Sequence, residues 1–121
     1  MDARLREGIR LFNDRQFFAS HEVLENFYRE TEGENKPFIE GLIQLAAAFR
    51  LFSDFGEVKG PARMIYQALI RFENYQPVFL QIHVTELCQA AEAWAKVVEA
   101  ANAQLSTATI PKISLQRFGF F

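Results

Sequence analysis

Cysteine occurs once in the 121 residues, at Cys88, so no intrachain disulfide can form. A reducing, cytoplasmic setting is therefore the expectation. A dominant charge sign is also lacking: 13 Lys and Arg stand against 15 Asp and Glu, a formal net charge of -2. With no basic patch in the sequence, nucleic acid is not an expected partner. No apolar run reaches the length of a membrane span. The longest, around Leu42–Phe52, is interrupted by Gln44 and Arg50, so no membrane partner is expected either. The opening MDARLREGIRLF is charged and amphipathic and has no signal-peptide core. Internal repeats and low-complexity segments are absent as well.

Phenylalanine, by contrast, is abundant: 13 of 121 residues. Rings of this size favour edge-to-face packing in a core or across an interface. The chain has the length of one domain and reads as all-α, a single bundle of about five helices spanning 1–121, with about 106–121 as an extended tail. Leu5, Ile9 and Phe12 predict a helix over about 3–13, broken by Asn13-Asp14. Val23, Leu24, Phe27 and Tyr28 stripe a second helix over about 16–32, stopped by Gly33. A third begins near Pro37 and runs to about Asp54. It is apolar around most of its girth and so predicted central and buried. Gly41 inside it costs about 1 kcal/mol against Ala, which implies close approach of a neighbouring helix. A fourth helix covers about 61–74, with Ala62, Ile65, Leu69 and Phe72 inward. After an extended connector with Pro77, Thr85 is read as the N-cap of a fifth. That helix carries Leu87, Ala91, Trp94, Val98, Ala101 and Leu105 in register.

The candidate site lies on the second and third helices. His21 and Glu25 are four residues apart and share a helix face, as do Glu40 and Gln44. The short link between the two helices predicts antiparallel packing, so the two pairs are expected to meet in a buried polar seam. A carboxylate there needs a partner or a proton. His21 and Gln44 are expected within direct or water-bridged hydrogen-bond reach, with Arg29 and Arg50 as further partners. The second reading is a divalent metal on His21, Glu25 and Glu40, since imidazole and carboxylate suit zinc, iron or manganese. HExxE is not the HExxH of zinc proteases, however, nor the repeated Glu-x-x-His of di-iron bundles. Ser20 adjoins His21 but neighbours on a helix do not face each other, so it reads as a small contact residue. Cys88 reads as an inert thiol, His83 as a locally bonded connector residue, and Trp94 as core.

The stretches LFNDRQFFASHEVLENFYRE and FIEGLIQLAAAF, and more loosely GEVKGPARMIYQAL, resemble the small helical bacterial and archaeal proteins grouped as domain of unknown function 309. In that match His21, Glu22, Glu25, Gly41 and Gln44 carry the signature. Glu40 stands where the family often has Gln, Phe27-Tyr28 where Leu-Trp is common, and His83 where an acidic residue is usual. Phe49-Arg50 falls where a His is frequent, which takes support from the metal reading. The resemblance implies an all-helical fold and brings no activity with it.

Two classes of function follow. The first is a binding module that engages a small protein partner or forms a homodimer, supported by the Phe content and an apolar tail. Ile113, Leu115, Phe118, Phe120 and Phe121 crowd the last nine positions. Left in water they would make the kind of patch that monomers avoid. The tail is expected to be extended without forming a clean half-buried strand. Its rings Phe118, Phe120 and Phe121 would dock within the chain or, the preferred reading, across a dimer. The alternative is a small metal-dependent enzyme, a hydrolase with His21 and Glu25 as ligands and Glu22 as base.

Overall fold

The computed structural model describes residues 1–101 and 109–117. Among the described residues five helices follow in order: α1 (Ala3–Asn13), α2 (Phe17–Glu30), α3 (Asn35–Phe55), α4 (Lys59–Phe72) and α5 (Val84–Ala101). Between α4 and α5 lie a 3-10 turn, Glu73–Tyr75, and a two-residue hairpin, β1 (Val78–Phe79) with β2 (Ile82–His83). The chain is thus an all-α bundle with a vestigial sheet. Among the described residues no helix is long and apolar enough to cross a membrane.

Local chemistry sets each helix end. Asp2 caps α1, its carboxylate accepting from the Arg4 amide at 2.8 Å. At the other end Arg15 takes a left-handed φ of 64°, and the Arg15 and Gln16 amides donate to the Phe12 and Leu11 carbonyls. That pair of bonds is a Schellman closure, made here without glycine. The stop of α2 is not Gly33 but Thr31, whose hydroxyl donates to the Phe27 carbonyl at 2.7 Å while its backbone turns extended. Gly33, at φ 74°, bends the link that follows. Gly56, at φ 69°, closes α3. Thr85 is not the N-cap of α5: the helix already begins at Val84, and the Thr85 hydroxyl donates to the Gln76 side chain at 2.9 Å.

Packing follows the apolar stripes. Phe38, Ile39, Leu42, Leu45, Ala46, Ala48 and Phe49 of α3 are fully buried, so α3 is the centre of the bundle. Two glycines set how closely its neighbours approach. A Cβ on Gly41 would fall 2.6 Å from the Phe72 ring of α4, and one on Gly8 would fall 2.5 Å from the Leu24 side chain of α2. Ser20 adds to the second contact by donating to the Gly8 carbonyl at 2.7 Å. Among the described residues the rings that pack on one another fall into two clusters. Phe12, Phe17 and Phe49 stack toward Trp94, which meets Phe49 and Phe52 edge-on at 5.0 and 4.8 Å. Phe38, Phe72, Tyr75 and Phe79 make the other cluster, under the hairpin.

The connector before α5 is not simply extended. Leu80 and Gln81, at φ 47° and 67°, occupy the two central positions of the hairpin turn, where both residues must be left-handed. The described part of the tail then adds a third extended segment to this hairpin, within the same chain. Leu115 bridges Ile82 antiparallel, the His83 amide donates to the Ser114 carbonyl at 3.0 Å, and the Gln116 amide donates to the Gln81 carbonyl at 2.6 Å. Asn13 holds the same segment with both ends of its side-chain amide, at 2.9 and 2.8 Å from the Ile113 carbonyl and amide. Ile110 and Ile113 are buried while Ser114 and Gln116 are exposed. The tail is therefore more strand-like than its sequence predicts, because the parity conflict begins only at Phe118. Leu105, Phe118, Phe120 and Phe121 lie outside the described residues.

Candidate functional site

The two polar pairs do form on their own helices, but each faces a different neighbourhood. Glu40 and Gln44 point toward α4. Arg71 Nη2 sits 3.1 Å from Glu40 Oε1, and Arg71 Nε donates to Gln44 Oε1 at 3.0 Å. Tyr28 of α2 donates to the other Glu40 oxygen at 3.4 Å, and the Lys36 ammonium lies 4.6 Å over the Tyr28 ring. This cluster ties α2, α3 and α4 together at the edge of the core.

His21 and Glu25 sit elsewhere. His21 Nε2 lies 3.4 Å from Glu25 Oε2, with side-chain exposures of 33% and 38%. They line an open recess of about 220 Å³ with Phe18, Glu22, Asn26 and Arg29, all from α2. Arg29 donates to the Asn26 side chain at 3.0 Å. Beside Phe18, α3 presents Arg50, whose guanidinium carbon lies 4.3 Å from the Phe18 ring centre and 5.6 Å from that of Phe55. Arg50 Nε also lies 3.6 Å from Asp54 Oδ2. Phe18 and Phe55 are 48% and 61% exposed. The α2 recess therefore continues onto α3 as an aromatic–guanidinium stack.

The residues expected in one buried seam are half-exposed and lie in two sets of contacts, and no direct hydrogen bond joins His21 and Gln44 among the described residues: Gln44 accepts from Arg71. Gln44 turns to Arg71 of α4, and His21 is paired with Glu25 one turn along α2. For the metal reading, the arrangement that chemistry requires is a convergence of three or more ligands. Among the described residues no three His, Cys, Asp or Glu side chains converge in that way. Glu40, the third expected ligand, is engaged by Arg71 and Tyr28 instead.

The other groups have local roles. The Ser20 hydroxyl is buried and committed to the Gly8 carbonyl. Burial, with Glu92 adding to it, pushes the Cys88 thiol up to about 11, away from the thiolate that nucleophilic or metal chemistry needs. His83 Nδ1 lies 3.8 Å from Glu86. Arg71 is the residue that the sequence reading missed. The signal for it was indirect: Gly41 calls for a close neighbour, that neighbour is Phe72, and Phe72 carries Arg71 beside Glu40 and Gln44.

A central helix flanked by two shorter ones, with an HExxE face on the second helix of the chain, defines a small helical domain with a polar recess on α2. The sequence profile of the family described as domain of unknown function (DUF309) matches residues 5–64, which cover all but the first two residues of α1, the whole of α2 and α3, and the start of α4. The chain belongs to that family. No curated protein matches it. The matched segment contains the whole α2 recess, with Arg50 and Phe55, and it contains Glu40 and Gln44. Arg71 lies beyond it.

Proposed function

We propose that the chain is a helical binding module whose contact face is the outer side of α2 together with the end of α3, and that its ligand is another protein. The observation that supports this most directly is the exposure of Phe18 and Phe55 on either side of Arg50, next to the His21–Glu25 recess. Aromatic rings and arginine are the residues that contribute most at protein interfaces, where polar groups around them set orientation. Here Glu22 and Glu25 offer carboxylates and Asn26 an amide within one recess. A partner segment with an apolar side chain flanked by a basic one matches both parts. The apolar group covers Phe18 and Phe55, and the basic group enters the recess.

The test uses site-specific photo-crosslinking in cells. A benzoyl-phenylalanine at Phe18 or Phe55 is expected to give a discrete heterologous adduct, and the same probe at exposed Ala90 of α5 is expected to give none. Adding Glu22→Arg to the Phe18 probe should abolish the adduct. The reading fails if adducts form equally at all three positions. It also fails if zinc or manganese binds with unit stoichiometry to the wild type and not to His21→Ala, which would point to the metal-dependent class.

A further inference from the structure

The opposite side of the bundle carries a second feature that the α2 face does not use. On α4, Lys59, Arg63, Tyr66 and Ile70 recur at spacings of four, three and four, and Glu73 follows three residues later on the 3-10 turn. At 100° per residue these five positions share one stripe, the pattern of a helix–helix seam. Ile70 is the most exposed large apolar side chain among the described residues, at 71%, and Val97 on the neighbouring α5 is exposed as well. Between α4 and α5 runs a groove of about 680 Å³, lined by Val58, Tyr66, Ile70 and Val98 with Lys59 and Arg63 at one end. The Tyr66 hydroxyl donates to Glu99 at 2.8 Å, which fixes the ring against α5 as one wall of this groove.

The stripe is self-complementary. Its first part is basic (Lys59, Arg63), its middle apolar (Tyr66, Ile70), and its end acidic (Glu73). Among the described residues none of the three charged groups is drawn into an ion pair of its own. An unrelated partner would need no internal symmetry in this face, whereas a second copy does. When two such stripes run antiparallel with a two-fold axis at Tyr66, the residue seven before it faces the residue seven after it. Lys59 then meets the partner's Glu73, and the Arg63 stem covers the partner's Ile70. The whole seam is about 21 Å long at 1.5 Å per residue.

We propose that this face of α4 is an isologous contact through which two copies of the chain pair antiparallel, with Ile70 buried in the partner's groove and Lys59–Glu73 pairs closing both ends. Such a contact obeys the symmetry rule for closed homodimers, in which one patch serves both subunits. Two helices meeting over this length bury an area at the small end of specific interfaces, so the dimer is weak and concentration-dependent.

Sedimentation equilibrium on the full chain, from micromolar to near-millimolar concentration in low salt, tests it. The wild type is expected to shift from monomer to dimer across that range. Ile70→Glu should weaken association by at least about tenfold, the effect of removing a central apolar anchor. Because Ile70 is exposed, the variant should keep the wild-type helical circular dichroism. Lys59→Glu and Glu73→Lys should each weaken the dimer, and the double variant Lys59→Glu/Glu73→Lys should restore it. A chain that remains monomeric at every concentration overturns the proposal. So does a dimer indifferent to Ile70→Glu, or a double variant no better than the singles. A dimer lost only when residues 118–121 are removed would place the contact in the tail instead. None of these outcomes bears on the α2 face, whose crosslinking test reads a heterologous adduct.

Discussion

Glu40 with Gln44 on α3, and His21 with Glu25 on α2, have the same four-residue spacing and similar exposure: 39% for Glu40 against 33% and 38% for the second pair. Their surroundings nonetheless differ. The α3 pair is bound by Arg71 and approached by Tyr28, so three helices share one cluster. The α2 pair lines a recess built from residues of its own helix, beside the Arg50–Phe18 stack, and its hydrogen-bond-range contact is within the helix. Burial does not separate the two; a neighbour does. Where a polar pair is tied across helices it helps hold the fold, and where it is left on one helix it is available to something outside. The contrast implies that substitutions in the α3 cluster should be read out in stability, and those in the α2 recess in binding.

The strongest way to break the α3 cluster is to push α4 away. Gly41→Ala puts a methyl carbon 2.6 Å from the Phe72 ring, a position that cannot be kept. Phe72 is fully buried and packed on Phe38, so it cannot swing aside without cost. Overpacking of this kind costs about 1–3 kcal/mol, the rigid ring places this site at the upper end, and the helix propensity regained with Ala offsets about 1 kcal/mol of it, so the expected net loss is about 1–2 kcal/mol. Chemical denaturation should show the loss, and the Arg71–Glu40 contact should be lost with it while the α2 recess is unchanged. A Gly41→Ala protein as stable as the wild type would mean that α3 and α4 are not in close contact.

Arg71→Ala comes next. It leaves the helices in place and removes only the tie. Glu40 and Gln44 remain partly exposed, so water can solvate them and the full penalty of a stranded buried charge does not apply. The expected loss is about 1 kcal/mol, seen as a lower denaturation midpoint with an unchanged slope. A double-mutant cycle of Arg71→Ala with Glu40→Gln should show coupling of about 0.5 kcal/mol or more, since the groups share one network.

Much of this architecture is legible in the chain. The apolar stripes of α1 and α3, the near-continuous apolar girth of α3 and the stop at Gly56 lead to the observed bundle through local spacing alone. Gly41 is legible as a close approach because a helix-interior glycine has few other reasons to be there. What spacing does not reveal is which way the polar flank of an amphipathic helix turns once its apolar stripe is packed. His21 and Glu25 border the stripe of α2, and bordering residues go to the seam or to water according to the rotation of the helix. That rotation is set by Gly8, Ser20 and Leu24 packing on α1, which a pattern confined to α2 does not contain. Arg71 was hidden for a related reason, since its partners lie 31 and 27 residues away. The hairpin was also unreadable, because Leu80-Gln81 carries none of the Asn-Gly chemistry that marks such a turn.

The smallest expected effect gives the sharpest form of the comparison. A buried seam in which His21 bonded Gln44 would make His21→Ala cost on the order of 1–3 kcal/mol, because it would leave a buried polar partner without its bond. In the observed arrangement His21 touches Glu25 at 3.4 Å on a half-exposed face, and water can take its place. His21→Ala is therefore expected to change stability by no more than about 0.5 kcal/mol, the range of surface substitutions. The cycle with Gln44→Ala carries the decisive number. Residues that share no partner add within about 0.3–0.5 kcal/mol, so no coupling beyond that is expected between His21 and Gln44, in contrast to the Arg71–Glu40 cycle. Coupling above about 1 kcal/mol would mean that the two pairs meet after all, and α2 would have to be rotated from its observed packing on α1. If the cycle is additive while Glu22→Arg removes the Phe18 crosslink, the two pairs are separated by role as well as by place.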